Sequence, residues 1–207
     1  MPDGSTLLEH EPLLTQLERA RALGFLGPGP VRGHIEHTAG FLWALEAIVG
    51  RVLDLGSGGG VPGLVIGVAR PDLTLLLVDA TATRCRFLED AVRQLGLDAV
   101  VVEGRAEVLG HGPHRGTVDA VVARSFGPPA ATAECAAPLL CPGGVLIVSE
   151  PPTVTEERWP ARGLAELGLA LGDRSADSPV VQVLHQVTSC PRSYPRRDGV
   201  PAKRPLF

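Results

Sequence analysis

Residues Val52–Gly63 read V-L-D-L-G-S-G-G-G-V-P-G. An apolar run, broken only by Asp54, ends in four glycines within five positions: Gly56, Gly58, Gly59 and Gly60. The run has the make-up of a buried strand, and Pro62 suits the first turn of a helix reaching Ala69. Strand, glycine turn and helix in that order open a βαβ unit. A turn stripped of side chains lets another group come close to its backbone.

The pattern repeats outward from there. Short apolar runs follow at L-T-L-L-L-V-D (73–79), A-V-V-V-E (99–103), D-A-V-V-A (119–123) and G-V-L-I-V-S (144–149), with a long late strand at 180–189 and a further strand near 169–171. Amphipathic stretches at 82–95 and 130–140 lie between them. Strands alternating with helices predict an α/β fold with a doubly wound, Rossmann-like sheet. Upstream, Leu7, Leu8, Leu13, Leu14, Leu17, Ala20 and Leu23 form a helical stripe over 6–23, and a second helix is predicted from about Ile35 to Val49. Three parts are therefore expected: an N-terminal helical cap (1–50), a cofactor-binding domain (51–191) and a basic, Pro-rich tail (192–207).

Composition narrows the function. Apolar residues make up 44% of 207, enough for a packed core. Phe41–Leu55 is interrupted by Glu46, Arg51 and Asp54, so no membrane span is expected, and Met1–Glu11 has no signal-peptide pattern. Cys85, Cys135, Cys141 and Cys190 show no metal spacing. No metal and a cytoplasmic location are expected. The total charge is −4, yet residues 192–207 carry Arg192, Arg196, Arg197, Lys203 and Arg204 against Asp198, a local +4 that leaves −8 for the rest. An acidic body with a basic edge suits docking on phosphates at that edge.

In a doubly wound sheet the ligand lies outside the strands' carboxyl ends, at the switch point. A dinucleotide needs G-x-G-x-x-G there, but the third position falls on Val61, and Asp54 would repel a pyrophosphate. S-adenosylmethionine has no phosphate and carries an ammonium and a sulfonium, so the acid beside the loop favours it. Its methionine end is expected over Gly56–Gly60. Asp79, ending the second strand, suits the ribose hydroxyls, a role shared with dinucleotide sites. Arg105, Ala106 and Glu107 follow the third strand, where their backbone would lie over adenine. Arg124 follows the fourth strand, a cation placed to hold a phosphate or a guanine oxygen.

The blocks D-L-G-S-G-G-G-V-P-G (54–63), R-C-R-F-L (84–88) with L-G-L (95–97), E-G-R-A-E (103–107), V-V-A-R-S-F-G-P (121–128) and Y-P-R-R-D-G-V-P-A-K-R-P-L (194–206) resemble the RsmG (GidB) family, methyltransferases of guanine N7 in 16S ribosomal RNA. The resemblance implies a class I methyltransferase sheet and S-adenosylmethionine as cofactor. It implies that Asp54, Gly56, Ser57, Gly58, Asp79, Ala106 and Glu107 surround the cofactor, with Gly60 completing the loop, and that Arg124 is the catalytic, substrate-facing residue. It further implies 16S rRNA or the small ribosomal subunit as partner. Arg196, Arg197, Lys203 and Arg204 are then expected to form an RNA-facing edge beside the cofactor cleft, on a monomer. This chain has Ser149-Glu150-Pro151 where the family carries Lys-Gly, and Gly33-His34 where it carries Arg-His. Two other readings stay open: a methyltransferase of a small molecule, for which Glu150 and the absence of the family's Asn-Leu-Thr segment from the N-terminal helices are the motives, and a ribosome-associated protein that binds cofactor or RNA without catalysis.

Overall fold

The computed structural model describes residues 7–151, 153, 157–176 and 179–207. Three helices come first: α1 (Glu11–Ala22), α2 (Val31–Glu36) and α3 (Ala39–Ala44). Then come β1 (Arg51–Leu55), α4 (Gly63–Ala69), β2 (Thr74–Asp79), α5 (Ala82–Leu95), β3 (Ala99–Glu103), α6 (Ala106–Leu109), β4 (Val118–Ala123), α7 (Pro129–Ala136) and β5 (Leu140–Ser149). The chain continues with α8 (Ala161–Glu166), β6 (Leu169–Arg174), β7 (Val181–Gln186) and α9 (Val200–Lys203). The seven strands run in the order β3-β2-β1-β4-β5-β7-β6, bearing out the doubly wound expectation. β1 to β5 are parallel, and β7 lies antiparallel between β5 and β6.

Successive strand residues face opposite sides of the sheet. Val52, Leu75, Leu77, Ala120, Val122 and Ile147 join one core with Leu13, Leu17, Phe41, Val65 and Leu88 of the helices. Leu53, Leu55, Leu76, Val121, Leu146 and Leu184 join the other with Ala133, Leu139, Leu164 and the tail's Tyr194 and Phe207. The N-terminal helices thus share a core with the sheet. Arg70, almost fully buried, ties them down: its guanidinium donates to the Leu45 and Ile48 carbonyls at 2.6 and 2.8 Å and pairs with Asp72 at 2.6 Å.

The upstream helices differ from expectation. Residue 6 lies outside the described residues, and the stripe over 6–23 breaks at His10, whose Nδ1 accepts the Leu13 N–H at 3.1 Å. Pro12, without an N–H, cannot continue a helix from residue 8. The helix predicted over 35–49 is instead α2 and α3, separated at His37–Thr38. Buried Thr38 folds its hydroxyl back to the His34 carbonyl at 3.4 Å, a contact that bends helices, and Gly40 presses on the Pro179 backbone.

Candidate cofactor and substrate cleft

The carboxyl ends of β1 and β4 diverge at the switch point, and the glycine loop is fastened there. The amides of Gly56 and Ser57 both donate to the Val78 carbonyl, at 2.9 and 2.8 Å. The Gly58 amide donates to Asp79 Oδ2 at 3.0 Å, and Ser57 Oγ to the Asp54 carbonyl at 2.9 Å. The close approach that the glycines permit is partly the protein's own. A Cβ on Gly56, whose φ is +76°, would lie 2.8 Å from the Phe126 ring, and one on Gly59 would lie 2.8 Å from the Phe25 carbonyl. What stays open to ligand is the face of Gly56, Ser57 and Gly58.

Two hollows meet at this loop, and a third adjoins them at the segment after β4. The first, about 230 Å³, is lined by Leu55, Gly56, Asp79, Ala106, Phe126 and Pro201 among others. The second, about 250 Å³, is bounded by Ser57, Gly58, the Phe25–Gly27 loop, His34, Arg84 and Arg124. The third, about 340 Å³, lies between Arg124, Phe126, Thr132, Glu150, Arg158 and Trp159. Gly56 joins the first two, Arg124 the second and third, and Phe126 the first and third. Ser125, between Arg124 and Phe126, has φ +56°, the one positive φ on a non-glycine among the described residues. Such strain is held only where surrounding contacts impose it.

Of the residues expected around the cofactor, Gly56, Ser57, Gly58, Asp79, Ala106 and Glu107 line the first two hollows. Asp79 is 5% exposed and accepts from the Gly58 and Thr81 amides at 3.0 and 2.8 Å, one on each oxygen. A carboxylate oxygen has room for a second donor, so Asp79 retains acceptors toward the first hollow. Two of the expected residues lie apart from these hollows. Asp54 lines none of the three hollows: it lies under the loop, where Oδ2 receives the Gly63 amide at 3.0 Å. Burial pushes its carboxyl up to about 7, against the pull of the Gly63 amide and Arg124. Gly60 is also outside them, its φ of +89° serving the turn into α4.

Arg124 extends from the end of β4, and its Nη2 lies 2.7 Å from His34 Nδ1. His34 Nε2 lies 3.2 Å from the Gly27 carbonyl. The carbonyl can only accept, so Nε2 carries the proton and Nδ1 accepts from the guanidinium. Burial, then Arg124, lowers the His34 pKa below its ordinary 6.5, which keeps the ring neutral. The histidine flagged in the sequence is therefore joined to the arginine 90 residues away. Glu150 is not a bare anion: Arg158 Nε lies 2.8 Å from Oε2, and Trp159 Nε1 donates to Oε1 at 3.1 Å. Arg158 and Trp159 had no sequence signal, since they belong to the site only through tertiary placement; Phe126 stood in the block 121–128 without an assigned role.

The tail is ordered against the cleft. Arg196, expected on an RNA-facing edge, is turned inward instead. Its guanidinium forks onto Glu134, which is 0% exposed, at 2.6–3.1 Å, and its amide donates to the same carboxylate at 2.7 Å. The sequence gives no sign of this pair, because 62 residues separate the partners. Arg197, Lys203 and Arg204 are exposed. Glu107 Oε1 receives the Gly199 amide at 3.0 Å and Arg105 at 2.9 Å. Burial acts to raise its pKa, but these donors outweigh it and hold the carboxyl below its ordinary range. No cluster of metal-ligating side chains and no helix long and apolar enough to cross a membrane occurs among the described residues.

Comparison with known proteins bears on the family and the fold. The family model for rRNA small subunit methyltransferase G, GidB, matches residues 32–157. A Deinococcus radiodurans protein named ribosomal RNA small subunit methyltransferase G is 38% identical over 167 residues, covering 76% of this chain and 66% of the relative. The Thermotoga neapolitana protein of that name is 37% identical over 170 residues, covering 78% and 74%. The chain thus spans about two thirds to three quarters of these relatives' length. Among solved structures, a SAM-dependent O-methyltransferase from Thermotoga maritima superposes with a TM-score of 0.57 at 14% identity, covering 84% of this chain and 71% of that one, a likeness of fold. By the family model and the relatives together, the chain belongs to the rRNA small subunit methyltransferase G family of S-adenosylmethionine-dependent methyltransferases.

Proposed function

We propose that the protein transfers a methyl group from S-adenosylmethionine to guanine N7 in 16S rRNA of the small ribosomal subunit. The observation that carries this is the meeting of three hollows at Gly56, Arg124 and Phe126, on the carboxyl edge of a sheet of this family. The first hollow fits the adenosine half, with Asp79 toward the ribose hydroxyls and apolar walls at Phe126, Pro128, Ala131 and Pro201. The second, with Arg124 and with Arg84, which lies 3.6 Å from Asp79, on its walls, fits the methionine carboxylate. The third is left for the base.

When bound, the cofactor supplies an electrophilic methyl group on a sulfonium. Guanine N7 has a free lone pair and no proton to remove. An in-line displacement there needs no general base, and His34 Nδ1 is already occupied by Arg124. The protein's part is alignment and exclusion of water, worth roughly 7–11 kcal/mol in intramolecular analogues. Arg124, steadied by His34, is placed to donate to guanine O6 or a neighbouring phosphate. Pairing of Glu150 with Arg158 removes the bare negative charge that had favoured a small-molecule substrate.

Small subunits lacking the modification, incubated with labelled cofactor, test the reading. Label is expected at guanine N7 of 16S rRNA. Arg124→Ala should lower transfer roughly a hundredfold, the scale of a lost positioning contact, with cofactor affinity near wild type. Cofactor binding without label in rRNA would transfer the activity to another substrate.

A further inference from the structure

The C-terminal segment is more than a basic edge. Pro201 and Ala202 of α9 line the first hollow, facing it together with Asp79, Ala106 and Phe126. The segment is held there by contacts that avoid the hollow's interior. Arg115 donates to the Tyr194, Cys190 and Pro191 carbonyls at 2.7, 2.7 and 2.9 Å, and His111 Nε2 lies 2.7 Å from the Pro195 carbonyl. Arg196 is locked on buried Glu134. Nearest the hollow, Asp198 pairs with Arg105 at 2.7 Å, and the Gly199 amide donates to Glu107. Gly199 has φ +73°, a turn that only a residue without a side chain makes freely, and it aims α9 back at the cleft.

We infer that Pro201 and Ala202 are a wall of the cofactor site, and that Glu107 and Gly199 are positioning residues which hold this wall over the adenosine half. Glu107 faces the same hollow, but its Oε1 is committed to Gly199 and Arg105. Through that oxygen, its part in cofactor affinity passes by way of the tail. A nucleoside in the first hollow is enclosed by the third-strand loop, Phe126 and the tail, whereas without the tail one side opens to water. The segment also presents exposed Arg197, Lys203 and Arg204 outward, so one short stretch serves cofactor on its inner side and solvent on its outer side. This inference rests on the first hollow holding the adenosine half, as proposed above.

Gly199→Pro tests it in the full chain. Proline can neither adopt φ +73° nor donate to Glu107, and residue 199 does not itself line the hollow. Gly96→Pro is the matched control. It loses the same kind of φ (+63°) and an amide bond to the Arg93 carbonyl at 3.3 Å, but it closes the end of α5 and lines none of the three hollows. Calorimetric titration with S-adenosylmethionine and with S-adenosylhomocysteine should show Gly199→Pro binding both at least about tenfold more weakly, the scale of one lost charged hydrogen bond. Transfer at saturating cofactor should be largely retained, so that KM for cofactor moves and kcat does not. Gly96→Pro should bind within about twofold of wild type, on a scale where tenfold is the expected effect. Wild-type affinity in Gly199→Pro, or equal losses in both variants, would overturn the wall. Failure of the wild-type protein to bind either ligand would instead overturn the cofactor assignment itself.

Discussion

Asp54 and His34 sit on either side of the glycine loop and respond to pH in opposite senses. Asp54, raised from 3.8 to about 7 by burial, holds a proton in the folded chain that the unfolded chain has released between those values. Its contribution to stability is complete below about pH 4 and is lost as pH rises through about 7. His34 is lowered, so the unfolded chain binds the extra proton, and stability is lost as pH falls through the folded value. Asp54→Asn keeps an oxygen for the Gly63 amide and removes the titration. Its melting temperature should gain on wild type as pH is raised from 4 to 7 and stay ahead above that. The whole difference is about 4 kcal/mol by the cost per pH unit. A constant offset across that range would show that Asp54 is ionised throughout. The acid was legible in the sequence as belonging to the loop, but its depth was not. Its position two residues before Gly56 puts it on the strand's buried face, and only the packing of α4 decides that it supports the loop from below.

Elements with a strong local pattern were readable, and those fixed by distant partners were not. β1 to β5 are aliphatic runs bounded by turns, and each appears within a residue or two of its reading, apart from the earlier start of β5. The break between α2 and α3 depends on Thr38 and on Gly40 meeting the β6–β7 region, information absent from the helix's own sequence. The place of β7 between β5 and β6 is likewise set by pairing across the sheet. The tail is the clearest case: Arg196 reads as one cation among five, yet it neutralises a carboxylate buried in α7. Arg196→Ala is predicted to cost roughly 3–5 kcal/mol, because it strands that charge. Replacing both partners, with Glu134→Met and Arg196→Met, should recover much of the loss in chemical denaturation. If the single and double variants are equally destabilised, the tail is held by its apolar contacts and not by this pair.

At the scale of the molecule, an acidic chain of −4 meets an anionic partner through whatever cations remain free. With Arg196 turned inward, the exposed cations of the tail are Arg192, Arg197, Lys203 and Arg204. Reversing Arg197 and Lys203 to Glu should weaken binding to small subunits and reduce the logarithmic salt slope by roughly 0.7–0.9 per lost phosphate contact, with cofactor affinity intact. An unchanged slope would place the RNA contact elsewhere. The walls of the first hollow also have an order in time. They come from the ends of β1 and β2, the loop after β3, the segment after β4, and finally Pro201 and Ala202. A chain growing from its N-terminus can pair β1 to β5 and seat the glycine loop long before residue 201 is made. A nascent chain short of that point leaves the first hollow open on one side, so the last wall is added only after the residues of all five parallel strands have been made.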